Sequence, residues 1–320
     1  MKEGATMQEK GRIAVVTGPT GAIGVALCRR LLAEGLTVYA VCRPGSPRAA
    51  ALPEHPALHR VECDAAAYPT LPTQINAPAD MFFHLAWAGT IGPDRNDMPA
   101  QIDNILHTVA AVRAAAALGC HVFVGVGSQA EYGRPQGTLR PDTPTFPETG
   151  YGMAKLCAGQ MSRVEAGRLG LRHVWARVLS VYGPHDGPCT VITGTIRRLL
   201  AGQCPELTAG EQLWDYLYSA DAADALLRMA RSGRDGTVYP LGSGQAHPLR
   251  DYLTKLRDAI DPSLSLGFGR VPYGPGQVMH LEADLTELSR DTGFAPQTPF
   301  ETGIRETIAW VREEAAHHEP

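Results

Sequence analysis

The stretch Arg12-Ile-Ala-Val-Val-Thr-Gly-Pro-Thr-Gly-Ala-Ile-Gly24 decides the fold. Its apolar run from Arg12 to Thr17 reads as a strand, and the apolar-periodic segment that follows, as far as Leu32, reads as a helix. Gly18, Gly21 and Gly24 stand between the two. Glycines there permit a tight turn and a close approach of backbone to a pyrophosphate, and Gly24 lets helix and strand pack closely. The phosphate then meets the free N–H groups of the helix N-terminus. A plain tight turn uses the same glycines, so the assignment depends on the rest of the chain. Downstream, apolar strands alternate with helical stripes, which implies a doubly wound parallel α/β sheet with ligands beyond the strand C-termini.

A second stretch, Tyr151-Gly-Met-Ala-Lys155, carries the chemistry. Tyrosine and lysine four apart in a helix share one face. An ammonium near a phenol favours the phenolate, so the pair suits proton exchange near neutral pH. The same spacing also occurs where a half-buried ring merely lies beside a solvated amine. Taken with the G-x-x-G-x-x-G turn, it resembles the extended short-chain dehydrogenase/reductase family, in its nucleotide-sugar epimerase, dehydratase and reductase branch. The resemblance runs from about residue 12 to 312. It implies a Rossmann sheet with a smaller C-terminal substrate-binding lobe. The dinucleotide-binding domain is expected over 11–183, with 213–245 returning to it, and the lobe over 184–212 and 246–315. Gly18, Thr20, Gly21, Ala22, Ile23 and Gly24 are the expected phosphate contacts.

Composition narrows the alternatives. With 44% hydrophobic and 19% charged residues, the chain is an ordinary globular protein. A net charge of −4 offers no general attraction for nucleic acid or an anionic membrane. Seven scattered cysteines with no C-x-x-C read as small buried apolar residues, with neither a metal site nor a disulfide framework expected. Met1 to Arg12 is polar and lacks an apolar signal core, and no run reaches membrane-span length, so a cytoplasmic protein is expected.

Cofactor choice turns on the residue after the second strand, Thr37 to Cys42. A carboxylate there holds the 2′-hydroxyl of NAD, whereas arginine accommodates the 2′-phosphate of NADP. Arg43 occupies the place, with Arg48 as a second cation, so NADP(H) is expected and NAD is the alternative. A surface arginine in a Pro/Gly turn is the milder reading of Arg43. The resemblance sets Asp64, after the third strand, at the adenine edge; a turn residue is the alternative. Asp80-Met-Phe-Phe-His-Leu-Ala-Trp-Ala-Gly89 is similar to the family's cofactor-lining strand. It places Leu85, Ala86 and Trp87 by the cofactor, with Val126 and Leu179 contributed by later strands. Trp87 also stands to cover substrate. His84, in an apolar strand, reads as a packed core histidine.

The segment Ser128-Gln-Ala-Glu-Tyr-Gly133 is similar to the family's S-x-x-x-Y-G loop, making Ser128, Tyr151 and Lys155 the expected catalytic triad. Ser128 is expected to hydrogen-bond the oxygen at which Tyr151 exchanges a proton. Family 4,6-dehydratases carry an acid two before the loop tyrosine, often after an aspartate; here Ala130 and Gln129 stand there. The epimerase/reductases that make GDP-fucose use a cysteine in Ala130's position. Both routes are therefore disfavoured. Gln129, Ala130 and Glu131 are expected near substrate, Glu131 through sugar hydroxyls or else at the loop surface.

In the second half, Arg177 and Tyr182-Gly-Pro184 match the family's R-x-x-N-x-Y-G-P, with Ser180 replacing its asparagine and His185 next in the loop. Gly210 to Asp221 resembles R-D-F-V-Y-V-x-D, except that Trp214 replaces an arginine that commonly grips a phosphate. A second expected arginine is Gly274. Arg270, Arg197 and Arg250 are candidate substitutes, since a diphosphate needs cationic or N–H donors. Trp214 suits stacking on a base or sugar. Ser180, His185, Trp214 and Arg270 complete the expected substrate contacts.

The reading that results is an NADPH-dependent reductase of an NDP-4-keto-6-deoxy sugar. Alternatives are an NDP-sugar 4-epimerase with retained cofactor, a reductase of a non-sugar ketone, and a non-catalytic NADP sensor. The resemblance further implies a homodimer through helices 101–118 and 151–169.

Overall fold

The computed structural model describes residues 13–134 and 136–316; the polar Met1–Arg12 segment, and with it residues 11–12 of the expected first domain, lies outside the described residues. In chain order the elements are β1 (Ile13–Thr17), α1 (Ala22–Ala33), β2 (Thr37–Cys42), β3 (Leu58–Glu62), α2 (Leu71–Gln74), β4 (Met81–His84), α3 (Met98–Ala117) and β5 (Val122–Ser128). There follow α4 (Gly150–Arg168), β6 (Arg172–Val178), β7 (Ser180–Tyr182), α5 (Val191–Leu200), β8 (Leu213–Trp214) and β9 (Tyr216–Tyr218). The chain continues through α6 (Ser219–Ser232), β10 (Thr237–Leu241), β11 (His247–Pro248), α7 (Leu249–Ile260), α8 (Thr286–Thr292) and α9 (Phe300–Ala316).

Seven parallel strands run in the order β10-β6-β5-β4-β1-β2-β3, so the order reverses beside β1. In such sheets the crevice at this switch point receives the ligand. The strands are apolar on both faces because helices cover both. Leu27 and Leu31 of α1 pack with Leu226 and Met229 of α6 on one side. Ala111 and Val112 of α3 pack with Phe82, Phe123 and Ala166 of α4 on the other.

A separate apolar cluster unites α5, α7 and α9 through Ile196, Leu253 and Ile308, against Tyr182 and Tyr218. Two carboxylates tie these later segments to the sheet. Asp215 is fully buried and accepts from Ser243 N, Gly244 N and Ala283 N. Asp221 accepts from Gln297 N and Thr298 N. Four cysteines (Cys28, Cys42, Cys63, Cys120) are buried as expected, but Cys157 and Cys204 are half-buried and Cys189 is exposed. No helix among the described residues is long and apolar enough to cross a membrane.

Candidate active site

The glycine turn packs as its sequence demands. Gly18 has φ +69°, and a Cβ there would lie 2.6 Å from Ala86 N, so it presses against the end of β4. A Cβ on Gly24 would meet Gly18 O at 2.3 Å, while one on Gly21 meets nothing. Gly21 is the N-cap of α1 and brings no side-chain cap, and the first turn holds no acid. The N–H groups at that end are thus open to an anion. A dinucleotide pyrophosphate fits these features, with Thr20, Ala22 and Ile23 alongside. Arg43 is exposed just past β2 and its side chain forms no hydrogen bond or ion pair with a described residue, whereas Arg48 donates to His185 O at 3.0 Å. Asp64 caps the turn Ala65–Thr70 by accepting from Ala66 N.

Ser128 ends β5 and Tyr151 and Lys155 begin α4, whose N-cap Thr149 accepts from Gly152 N. Burial holds the Tyr151 phenol above its ordinary pKa, and the Ser128 hydroxyl and the Arg95 guanidinium act against that rise. Lys155 differs from the sequence expectation. Its ammonium donates to Val126 O at 2.6 Å and lies 3.8 Å above the Trp87 ring, but 5.9 Å from the Tyr151 ring. Desolvation lowers its own pKa to about 7. In this state the burial of the lysine, and not a lysine-driven fall in the phenol, dominates the local electrostatics. Trp87 is fixed by donating Nε1 to Gln101 Oε1 at 2.9 Å, and its ring meets Tyr151 edge-on.

Beside this group opens a cavity of about 390 Å³, lined by Arg95, Gln129, Ala130, Arg134, Thr149 and Trp214, among others. A second, of about 350 Å³, lies on the far side of Trp214 and is bounded by Glu206, Gln212, Tyr216 and Leu253. Trp214 lines both cavities and donates Nε1 to Ser180 Oγ at 2.7 Å, so Ser180 fixes the partition without lining either cavity.

Three expected substrate contacts fall elsewhere. Glu131 is fully buried, and its carboxylate accepts from Arg177 Nε at 2.5 Å, Ser128 N at 2.8 Å and Trp175 Nε1 at 3.0 Å. It faces the scaffold because Arg177 on β6 supplies a buried charge in direct contact that compensates it. His185, a non-glycine residue at φ +66°, lines a different cavity with Pro184, Arg29 and Tyr218, its ring beside Trp310. Arg270 is exposed and lines neither substrate-side cavity. Leu179 is buried in an apolar cluster with Tyr132 and Leu281, against which Trp214 and Val278 of the cavity wall pack. His84 is a core histidine, with Thr17 Oγ1 at 2.8 Å and Thr108 Oγ1 at 3.1 Å. Arg95 was not signalled by the sequence: it sits in a Gly/Pro turn, Gly92–Asn96, and only packing against α4 brings its guanidinium 4.8 Å from the Tyr151 ring centre.

Residues 14–242 match the model of the NAD dependent epimerase/dehydratase family. The chain belongs to that family. It falls in the extended short-chain dehydrogenase/reductase group that acts through a Rossmann sheet. It is 27% identical to a dTDP-glucose 4,6-dehydratase of Streptomyces griseus over 96% of both chains. It is 29% identical to a dTDP-glucose 4,6-dehydratase of Streptomyces niveus over 62% of this chain, a match spanning 59% of that protein's length. Among solved structures, a UDP-N-acetylglucosamine 4-epimerase from Methanobrevibacter ruminantium M1, in complex with UDP-N-acetylmuramic acid, superposes with a TM-score of 0.86. That likeness, at 23% identity over 95% of this chain and 99% of the other, is one of fold.

Proposed function

We propose that the chain is an NADP(H)-dependent reductase of a nucleotide-activated keto-sugar, of the 4-keto-6-deoxyhexose kind. The observation carrying this reading is that Ser128, Lys155 and Trp87 gather around Tyr151, with a cavity of about 390 Å³ opening at Ala130 and Thr149 and with Gly18 of the glycine turn abutting Ala86, next to Trp87. A nicotinamide cofactor held at the glycine turn Gly18–Gly24 would supply the hydride for the carbonyl carbon. Tyr151 gives its proton to the carbonyl oxygen and Ser128 hydrogen-bonds that oxygen, so a C=O becomes CH–OH. Lys155 then serves the phenolate left behind, as a cation whose proton is labile near neutral pH.

Dehydration is not proposed, although two relatives carry that name. Gln129 and Ala130 stand at the elimination positions, and the nearby Glu131 is turned into the core. Unpaired Arg43 supports NADP over NAD. A second reading, an NDP-sugar 4-epimerase with retained cofactor, is supported by the likeness in fold to the Methanobrevibacter 4-epimerase and by the family's NAD dependence. The deciding experiment mixes purified protein with NADPH and a panel of NDP-4-keto-6-deoxy sugars. Stoichiometric loss of reduced-nicotinamide absorbance supports the reductase. Interconversion of NDP-hexoses by protein that retains its nucleotide, with no NADPH consumed, overturns it in favour of the epimerase.

A further inference from the structure

Arg95 stands out among the charged groups of the substrate cavity. Its guanidinium carbon is 4.8 Å from the centre of the Tyr151 ring, and its Nε is buried without a hydrogen-bond partner. No hydrogen bond or ion pair links its side chain to any described residue. The other cation on the cavity wall, Arg134, is neutralised by Glu148 at 2.7 Å. Across Trp214 the second cavity has one charged residue on its wall, Glu206, and no cation. The uncompensated positive charge of the cleft therefore lies on the Tyr151 side.

The turn that presents Arg95 is anchored at several points. Asn96 Oδ1 accepts from Gly150 N at 2.9 Å, fastening the turn to the start of α4. Gln101 Nε2 donates to Asp94 O at 3.1 Å and to Gly89 O at 2.9 Å. Asp97 caps α3 immediately afterwards. A buried donor without a partner is costly, and a charged one more so, unless a ligand completes it. A planar guanidinium suits a carboxylate or phosphate, which it grips through paired N–H groups.

We propose that Arg95 binds an anionic oxygen group of the substrate, a carboxylate on the sugar or a phosphate of its linkage, beside the atom at which Tyr151 exchanges its proton. The assignment rests on the nucleotide-sugar part of the reading above and adds to it a residue that selects substrates by charge; a 4-keto-6-deoxyhexose offers only its diphosphate, so a loss confined to the carboxylate arm would replace the 6-deoxy part of that reading with a uronic acid. In place of the phosphate-gripping arginines absent at Trp214 and Gly274, the cleft carries its cation next to the reacting centre.

The test is calorimetric titration of the NADP-loaded wild type, Arg95→Gln and Arg95→Lys with UDP, UDP-glucose and UDP-glucuronic acid, and with the dTDP and CDP counterparts. Loss of one charge-assisted contact is expected to weaken the affected ligand roughly 10- to 100-fold in Arg95→Gln, with a smaller loss in Arg95→Lys, which keeps the charge and lacks the fork. A loss confined to the glucuronic acid arm identifies a sugar carboxylate; an equal loss in all three arms identifies a phosphate. The melting temperature of ligand-free Arg95→Gln is expected to match that of the wild type, because the half-buried guanidinium has no hydrogen bond or ion pair to lose. Affinities unchanged within twofold, or a lowered melting temperature with unchanged affinities, overturn the proposal. Should the wild type bind no nucleotide or nucleotide sugar, the underlying reading fails, and Arg95 loses its assigned ligand with it.

Discussion

Replacing Glu131 with glutamine alters little of the side chain's shape and removes its charge. The carboxylate is 1% exposed and its partner Arg177 4% exposed, so the pair is shielded from water and salt. Oε1 serves Ser128 N and Trp175 Nε1, and Oε2 serves Arg177 Nε. Glutamine keeps one acceptor oxygen and turns the other position into a donor. Either the Arg177 N–H faces an amide N–H, or Ser128 N loses its acceptor and Trp175 Nε1 keeps only its longer contact to the Oε2 position, at 3.3 Å. Breaking a buried pair from one side costs about 3–5 kcal/mol, because the remaining charge stays desolvated. At about 2.1 cal/mol/K per residue, 320 residues give about 0.7 kcal/mol/K, so the melting midpoint should fall by about 4–7 °C. Calorimetry and urea unfolding read the change directly. Arg177→Met and the double variant complete a cycle in which the double variant should recover part of the loss. Turnover should fall as well, since Glu131 pins Ser128 and is the group that raises the pKa of Lys155. With its pKa lowered further, Lys155 loses its proton at lower pH, and a rate limb governed by that proton moves toward acid. A Glu131→Gln midpoint within 1 °C of the wild type, roughly the shift for under 1 kcal/mol on the same arithmetic, would refute the argument.

Tyr151→Phe should cut turnover roughly 10²- to 10⁴-fold while NADP affinity and unfolding midpoint hold, as single-turnover and binding assays would show. Arg43→Ala should weaken NADPH roughly 10- to 100-fold and leave NADH unchanged; an unaltered preference ratio removes Arg43 from the cofactor site. Acid should destabilise the fold from pH 6.5 downward through two buried histidines. Desolvation lowers His84 from 6.5 to about 3 and His173 from 6.5 to about 4. The unfolded chain then takes up protons that the native state refuses, so stability present above pH 6.5 is lost toward pH 4 at about 1.4 kcal/mol per pH unit for each. Urea midpoints at pH 7, 6 and 5 measure this slope, and no decline between pH 6.5 and 5 contradicts it. Met153, Met161 and Val164 of α4 are exposed at 53%, 47% and 58%, beside exposed Ile102 and Leu106 of α3. Val164→Glu should convert the proposed homodimer to a monomer by light scattering, whereas a monomeric wild type refutes that interface.

Local order in the sequence reported most of the scaffold. Glycines whose missing Cβ atoms are needed at Gly18 and Gly24, apolar strands and an amphipathic α5 are properties of adjacent residues, and they can be read without knowing what lies across the molecule. Short elements were less legible. The stretch resembling one strand before Asp221 divides into β8 and β9, which pair with β11 and β7. A two- or three-residue strand carries too little pattern to declare its partner. Asp215 and Asp221 were visible as family matches, yet their work in binding backbone N–H groups of residues 243–244, 283 and 297–298 appears only once the chain is folded.

The sequence alone determined the doubly wound class, the glycine turn and the spacing of Ser128, Tyr151 and Lys155, because each depends on residues within a few turns of one another. Only the tertiary structure decided that Glu131 faces Arg177 and not the substrate, that Lys155 rests over Trp87, and that Arg95 overlies Tyr151. Those outcomes depend on which charges meet across dozens of residues of chain, and on how much water is expelled where they meet. Neither quantity is encoded in local pattern.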